Sequence, residues 1–249
     1  MAREGTAGLG EPGRDTDADW RRLAEAEPYW AVLSSPDFKR DALKDDTLDA
    51  FYASGRAHIA AVAAEASGLT GAPFKVRSAL DFGCGVGRLT EAMTAYADEV
   101  TGYDIAPGMI SVAKARPLGG AIRYVDVLPE GPFDWISSYI VFQHIPPERG
   151  LALLEQLLQR LRPGGVISLH FNLSRDAGLK RPPLNRLVRQ LAPQPTGVMS
   201  MYDYDFGAIQ RHLNQYGIRK MRLETTDHGG YHGAAILGRR EPASLSGAH

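Results

Sequence analysis

Residues 78–93 read SALDFGCGVGRLTEAM, and this stretch decides the fold. An apolar, strand-like run ends at Phe82, three glycines alternate with Cys84 and Val86, and a helix-compatible segment follows from Arg88. Glycines allow a sharp backbone turn and the close approach of a ligand, and free amides at a helix start favour an anionic group. The pattern therefore predicts a ligand-binding strand, turn and helix, with an ordinary tight turn as the alternative.

An acidic residue at the end of the next predicted strand favours the ligand-binding interpretation. Asp104 lies 104 − 83 = 21 residues after Gly83, where a carboxylate that bonds ribose hydroxyls is expected in nucleotide-binding folds. A nicotinamide-binding G-x-G-x-x-G pattern would place glycine at position 88, where this chain has Arg88. The residues therefore indicate a nucleotide-like cofactor and weaken the interpretation as a nicotinamide oxidoreductase.

Short apolar runs alternate with helical stretches downstream, which is typical of a parallel sheet with crossover helices. We expect strands at 76–82, 99–104, 122–125, 133–138, 166–171, 218–225 and 233–237, and helices at 87–96, 107–115, 147–161 and 204–216. The turn Pro163-Gly164-Gly165 is expected to end a helix and lead into the fifth strand. The predicted fold class is α/β, a Rossmann-like, seven-stranded, mostly parallel sheet flanked by helices.

Shifts in composition predict the domain organisation. Residues 1–17 are rich in glycine and charge and are expected to form a flexible tail, as is the segment 241–249. Residues 18–73 have helical periodicity and predict an N-terminal helical cap, ahead of a Rossmann-like domain at 74–240. Within that domain, residues 175–202 form a long insertion after the fifth strand, which we interpret as a lid.

The composition of the whole chain narrows its partners and its compartment. The 249 residues carry a formal net charge of −1, so no basic field favours binding to nucleic acid or to an anionic membrane. The single cysteine cannot form an intramolecular disulfide, and the N-terminal segment lacks the apolar run of a signal peptide. We therefore expect a cytoplasmic protein that binds neither nucleic acid nor membranes. The sequence leaves open whether it is a monomer or a homodimer.

The motifs between residues 76 and 172 follow one another in the order of a known family. Residues 81–87 (DFGCGVG) and 102–110 (GYDIAPGMI) resemble the first two motifs of class I S-adenosylmethionine (SAM)-dependent methyltransferases. The similarity to this family continues in three later segments, residues 124–127 (YVDV), 133–145 and 161–167 (LRPGGVI). The resemblance implies a SAM-dependent methyltransferase of the bacterial small-molecule type.

The resemblance implies roles for individual residues in holding SAM. Gly83 and Gly85 would lie against the methionyl and ribose parts, Asp81 would hold the amino group, and Asp104 would take the ribose hydroxyls. The other residues expected in the cofactor site are Cys84, Arg88, Ile105, Met109, Asp126, Val127 and Tyr139. Of these, Ile105 and Met109 would sandwich the adenine, and Asp126 with the Val127 amide would contact its edge.

Several of these assignments have simpler alternatives. Arg88 faces either the methionyl carboxylate or solvent on a helix surface. Asp126 is also compatible with a turn residue at a strand end, and Met109 with ordinary filling of the core.

His144 is the candidate general base, because it follows the fourth strand at the edge of the sheet where ligands bind and because imidazole titrates near neutral pH. Its alternative is packing at the helix start that follows. The candidate acceptor-binding residues are Tyr29, Trp30, Gln143, His170 and Tyr202, with packing of the cap or the sheet as their alternative. Anion binding by the insertion is a further possibility, offered by Arg175, Lys180, Arg181, Arg186 and Arg189.

No metal is expected, because the spacing of Asp203, Asp205, His228 and His232 matches no metal-binding signature. The predicted function is methyl transfer to a small-molecule acceptor, at a hydroxyl or carboxylate oxygen of a natural product or sugar. The alternatives are a methyltransferase that acts on RNA or protein, and a catalytically silent SAM-binding partner protein.

Overall fold

The computed structural model describes residues 15–116, 121–177 and 199–243. Their strands are β1 (Val76–Phe82), β2 (Ala97–Tyr103), β3 (Ala121–Val125), β4 (Phe133–Ser138), β5 (Leu161–Arg175), β6 (Met221–Asp227) and β7 (Tyr231–Arg239). They form one sheet in the order β3-β2-β1-β4-β5-β7-β6. Adjacent strands are parallel except where β7 pairs with β5 and with β6. The predicted Rossmann-like, seven-stranded and mostly parallel sheet is therefore confirmed.

Helices cover both faces of the sheet. They are α1 (Thr16–Ala26), α2 (Pro28–Val32), α3 (Asp45–Thr70), α4 (Arg88–Met93), α5 (Pro107–Lys114), α6 (Pro147–Gln159) and α7 (Phe206–Gln215), with 3-10 turns at Pro36–Phe38 and Phe142–His144. On one face, α3 and α4 pack around the buried Trp135. On the other, α6 and α7 pack around the buried Ile136. Successive strand residues point to opposite faces, so the apolar run of β4 serves both cores.

The helices of the predicted N-terminal cap begin and end at residues suited to helix termini. The carboxylate of Asp15 accepts a hydrogen bond from the Ala18 amide at the start of α1. Gly71 ends α3 in the left-handed conformation, at φ +76°. Because α1 begins at Thr16, the expected boundary between a flexible tail and the cap at residue 17 was wrong: Thr16 is buried and helical.

The fifth strand begins earlier than predicted. It starts at Leu161, which pairs with Phe133, and a register shift follows before Val166 pairs with Trp135. The sequence Pro163-Gly164-Gly165 therefore lies in an irregular part of the sheet rather than in a turn between a helix and the strand. Gly164 has φ +81° there, a conformation that glycine adopts without steric penalty.

Some expectations concern residues outside the described ranges. They include most of both terminal tails, most of the insertion at 175–202, and the basic residues Lys180, Arg181, Arg186 and Arg189. Within the described ranges, none of the helices is both long enough and apolar enough to cross a membrane.

Candidate active site

A cavity with about 1000 Å³ of empty space lies at the carboxyl ends of β1, β2 and β4, the edge where open α/β sheets bind ligands. We call it the first cavity. Residues from the connections after three neighbouring strands line it, among them Asp81, Gly83, Cys84, Gly85, Arg88, Asp104, Ile105, Met109, Tyr139 and His144. The structure therefore brings together most of the predicted cofactor residues and the predicted base.

The glycines of the loop between β1 and α4 are required by its geometry. Gly83, Gly85 and Gly87 all have positive φ angles, of +77°, +53° and +86°. A Cβ atom on Gly83 would lie 2.4 Å from the Val141 side chain, and one on Gly85 would lie 2.6 Å from the Val32 side chain. Both the backbone conformation and the space therefore exclude larger residues.

The amides of this loop are largely used within the protein, unlike the free amides that the sequence predicted. The amides of residues 83 and 84 donate to the Tyr103 carbonyl, at 2.8 and 2.9 Å, and the Gly87 amide donates to the Cys84 carbonyl at 2.9 Å. The Gly85 amide donates to the Asp104 carboxylate at 2.9 Å. Binding of an anion in the first cavity would therefore depend on Arg88 more than on these amides.

Asp104 connects the glycine loop to the start of α5. One carboxylate oxygen accepts from the Gly85 amide and the other accepts from the Ala106 amide, each at 2.9 Å. Burial raises the pKa of Asp104, and these two hydrogen bonds oppose the rise. Each oxygen keeps a further lone pair, so the carboxylate can still accept hydroxyl donors from a ligand.

Asp81 and Arg88 place opposite charges deep in the first cavity. Asp81 accepts a hydrogen bond of 2.7 Å from the Thr90 hydroxyl, and burial raises its pKa to about 6 despite that bond and the nearby Arg88. The Arg88 guanidinium donates through Nη1 to the Ser54 hydroxyl at 3.1 Å. Its Nε is buried and has no partner among the described residues. Arg88 is only 6% exposed, so the surface-helix interpretation was wrong.

Comparison with known proteins identifies this arrangement. Residues 79–165, which include β1, the glycine loop, Asp104 and β4, match a family model described as a methyltransferase domain. This chain carries a methyltransferase domain. Its seven-stranded sheet is the fold of class I SAM-dependent methyltransferases, as the resemblance of its motifs implied.

The sequence relatives of the methyltransferase domain include small-molecule methyltransferases. A trans-aconitate 2-methyltransferase from Methylobacterium nodulans is 34% identical over 121 residues, which cover 47% of this chain and 44% of that protein. A ubiquinone biosynthesis O-methyltransferase from Xanthomonas campestris is 32% identical over 99 residues, 36% of this chain and 41% of that protein. The match thus spans less than half the length of these curated relatives.

Solved structures share the fold over nearly the whole chain. A magnesium protoporphyrin IX methyltransferase from Synechocystis, with bound S-adenosylhomocysteine (SAH), has a TM-score of 0.63 and 18% identity, covering 91% of this chain and 100% of that one. An N-methyltransferase from Bradyrhizobium japonicum, also in complex with SAH, has a TM-score of 0.57 and 14% identity, covering 91% and 99%. At such identities the likeness concerns the fold.

His144 lies in the wall of the first cavity of the methyltransferase domain. Its Nδ1 is 2.9 Å from the Ser200 carbonyl oxygen, and its Nε2 is 3.1 Å from the Gln143 side-chain nitrogen. A carbonyl only accepts, so Nδ1 carries the proton and Nε2 holds the lone pair. The Trp20 ring packs against the imidazole at 4.8 Å. Burial lowers the pKa of His144 to about 4, so the ring is neutral at neutral pH.

Seven predicted residues do not line the first cavity, and four of them lie away from it. Asp126 and Val127 line a depression on the outer side of α5, and the Val127 side chain is 75% exposed. Tyr29 and Trp30 pack in the apolar cluster between α1, α2 and α3. Their neighbours in sequence, Ala31 and Val32, line the cavity instead.

The remaining predicted acceptor residues are buried beside the cavity. Gln143 contacts His144, and its side-chain oxygen has no partner among the described residues. Tyr202 is buried against β5, and its amide donates to the Gln143 carbonyl at 2.7 Å. His170 is 1% exposed, and its Nε2 is 2.8 Å from the Thr226 hydroxyl.

The sequence did not indicate that α1 closes one side of the first cavity. Thr16, Asp17 and Trp20 line the cavity from α1, and Arg149 lines it from α6. Arg149 and Asp17 form two hydrogen bonds, of 2.6 and 2.8 Å. No local pattern connects residues that are 132 positions apart.

Among the residues that the structure describes, no group of three or more His, Cys, Asp or Glu side chains is arranged to hold a metal ion.

Proposed function

We propose that this chain is a SAM-dependent methyltransferase that transfers a methyl group to an oxygen atom of a small-molecule acceptor. The observation that carries the proposal is Asp104, whose two oxygens hold the glycine loop and α5 together inside one cavity. The small-molecule methyltransferases among the relatives support the type of acceptor.

The polar side chains of the first cavity match the polar groups of SAM. Arg88 brings a guanidinium with an unpartnered, buried Nε, which would bind the methionyl carboxylate. Asp81, buried and partly protonated near neutral pH, would accept from the amino group, and Asp104 would accept from the ribose hydroxyls. Ile105 and Met109 would enclose the adenine, while Cys84 and Tyr139 would complete the wall.

Asp126 and the Val127 amide stay proposed as contacts to the adenine edge, although they line a separate depression on the outer side of α5 and not the first cavity. When bound, SAM supplies a methyl group activated by its positively charged sulfur. The chain itself would mainly align the acceptor and exclude water. The helices α1 and α2 cover the cavity wall and would help to exclude water.

We propose His144 as the base that takes a proton from an acceptor hydroxyl at Nε2. The hydrogen bond from Nδ1 to the Ser200 carbonyl fixes the required tautomer. Gln143 occupies Nε2 in this structure, so its amide must turn away for the acceptor to approach. After proton transfer, the Gln143 oxygen, which has no partner now, would accept the new N–H. Burial lowers the pKa of His144 to about 4, so the ring is a weaker base than the near-neutral imidazole that the sequence suggested. Proton transfer to Nε2 is therefore proposed to accompany methyl transfer, when the acceptor oxygen becomes more acidic.

The test of this role compares His144→Gln with the wild-type protein in methyl transfer, with SAH affinity measured in parallel. We expect turnover to fall by about 10²- to 10⁴-fold while SAH affinity stays unchanged. Wild-type turnover with intact SAH binding would remove His144 from the mechanism.

The acceptor site is proposed to lie between the cap (residues 18–73) and the described ends of the insertion at 175–202. Tyr29, Trp30, Gln143, His170 and Tyr202 are proposed to shape it, directly or through the residues they support. A reducing, cytoplasmic location is proposed from the single cysteine, which is buried.

The experiment that tests the function follows the label from methyl-labelled SAM in host extract separated into small molecules, protein and nucleic acid. We expect the label in the small-molecule pool. Label in a macromolecular pool would refute the type of acceptor and keep the enzyme class. Absence of SAH binding by calorimetry would refute the cofactor itself, and SAH binding without transfer to any pool would indicate a catalytically silent SAM-binding protein.

A further inference from the structure

A second cavity lies beneath α3, between that helix and the β5, β7 and β6 part of the sheet. It has about 1730 Å³ of empty space, more than the first cavity. Tyr139, the residue that follows β4, lines both cavities and forms a shared part of their walls. A molecule in the second cavity would therefore lie directly beside the contents of the first.

At this shared wall Tyr139 contacts three further rings, and we call the four the ring cluster: His58, Tyr139, His170 and His228. Of these, His58 and Tyr139 line the second cavity. The Tyr139 ring lies 4.1 Å from the His58 ring, 5.2 Å from the His170 ring and 6.2 Å from the His228 ring. The His170 and His228 rings are 5.3 Å apart. These are contact distances for aromatic rings, and they come from α3, β5 and the segments after β4 and β6.

Hydrogen-bonding capacity is left unused around the second cavity. The Ser138 hydroxyl, in the cavity wall, is buried and has no partner among the described residues, and the same holds for Nδ1 of His170 in the ring cluster. Buried polar atoms in native proteins are nearly always paired. The Ser138 hydroxyl in the wall of the second cavity favours a polar ligand, because a purely apolar occupant would leave this hydroxyl unsatisfied.

The charges around the second cavity disfavour an anion. Burial lowers the pKa of both His58 and His170 to about 4, with the nearby Arg88 adding to the effect on His58 and the nearby His228 to that on His170. Both imidazoles are therefore neutral at neutral pH. At the rim, Arg222 forms an ion pair with Glu65, and the Glu224 carboxylate also lines the cavity. The lining side chains thus carry one more negative charge than positive charge.

We infer that the acceptor lies in the second cavity under α3, which is part of the cap, with its ring against His58 and Tyr139 and its reacting hydroxyl directed past Tyr139 toward His144 in the first cavity. We also infer that this acceptor is an uncharged, hydroxyl-bearing ring rather than a carboxylate. The inference rests on the proposed function, because in-line methyl transfer requires the acceptor to lie next to the cofactor. The inference selects a hydroxyl oxygen, rather than a carboxylate oxygen, as the atom that receives the methyl group. Ring stacking would supply the contact area, and neutral donors and acceptors would orient the hydroxyl.

Two probes with the same fluorinated ring test this inference: 4-fluorophenol, which is neutral at pH 7, and 4-fluorobenzoate, which is an anion. Each is titrated by ¹⁹F NMR into the SAH-saturated protein. We expect 4-fluorophenol to bind at least about tenfold more tightly, since an unpaired buried charge is penalised more than a hydroxyl. Equal or tighter binding of 4-fluorobenzoate, or no binding of either probe at millimolar concentration, would overturn the inference.

Variants locate the binding site. His58→Phe keeps a ring but removes both nitrogens, and we expect it to weaken 4-fluorophenol binding about three- to tenfold, as for one lost hydrogen bond. Glu224→Lys reverses a charge at the exposed rim and should tighten 4-fluorobenzoate binding about two- to fivefold. The matched control is Glu99→Lys, on the exposed face of β2 outside both cavities, which should change neither affinity.

SAH affinity measured on the same samples separates the two proposals. Wild-type protein that binds neither SAH nor the probes would refute the proposed function. Intact SAH binding with probe affinities that are insensitive to His58→Phe and Glu224→Lys would refute only the assignment of the second cavity.

Discussion

Replacing Asp104 by asparagine should both destabilise the protein and weaken cofactor binding. The side chain accepts from two backbone amides, those of Gly85 and Ala106, with one oxygen for each. An asparagine has only one oxygen, so one of these buried amides would face an NH₂ group and lose its partner. An unsatisfied buried amide costs about 1–3 kcal/mol.

This free energy converts into a measurable fall in the melting temperature. For a chain of this size, about 1 kcal/mol corresponds to roughly 2–4 °C, so Asp104→Asn should lower Tm by roughly 2–12 °C. SAH affinity should fall by about tenfold or more, because hydrogen bonds from ligand hydroxyls to a charged acceptor are lost. Differential scanning fluorimetry and calorimetry measure the two effects.

The control is Asp98→Asn on β2, which neutralises an exposed carboxylate that lies 3.4 Å from the ammonium group of Lys75, the residue before β1. Exposed ion pairs contribute little, so Tm and SAH affinity should stay within error of the wild-type values. If Asp104→Asn behaved like this control, Asp104 would neither hold the glycine loop nor contact the cofactor.

Three further predictions follow from the same structure. Gly85→Ala places a methyl group 2.6 Å from the Val32 side chain at φ +53°, so SAH affinity should fall by more than about tenfold; unchanged calorimetric affinity would contradict the tight fit. Ile140 has φ +61°, so Ile140→Gly should be more stable than Ile140→Ala by about 1 kcal/mol in urea unfolding, because only glycine relieves the left-handed strain; the reverse order would show that no strain is present. Stability should fall as the pH drops from about 6.5 to about 4, because unfolding lets three neutral, buried histidines bind protons at their ordinary pKa. The raised pKa of Asp81, about 6, has the opposite sign between its ordinary value and 6, and so do the raised pKa values of Asp104 and Glu91, so the net fall should be smaller than the three histidines alone would give. A Tm that stays flat from pH 7 to pH 5 would contradict this sum over His58, His144 and His170.

Local patterns predicted the elements that are stabilised by short-range rules. The bounds expected for β1 and β4 agree with the structure residue for residue, because both are apolar runs bounded by turn residues. Where tertiary pairing decides an end, the expectation failed. Leu161 extends β5 because Phe133 on the neighbouring strand offers it a partner across an irregular register.

The same distinction between local patterns and tertiary packing holds within the candidate site. Glycines with positive φ and an acidic residue 21 positions beyond them mark the cofactor region through backbone geometry alone. By contrast, residues chosen for chemical type were placed less well. Tyr29 and Trp30 pack within the cap, whereas their small neighbours Ala31 and Val32 reach the first cavity.

The order of strands, helices and glycines along the chain was enough to predict the fold and the edge of the sheet at which the cofactor is proposed to bind. Only the tertiary structure decided which distant side chains meet. His58 of α3 reaches Tyr139 after β4, and Asp17 of α1 reaches Arg149 of α6. The tertiary structure also decided the charge states of His58 and His144. Burial is the main cause of their lowered pKa values, and no local sequence pattern predicts burial. Contacts between residues far apart in sequence arise from packing of whole elements, which no short stretch of sequence encodes.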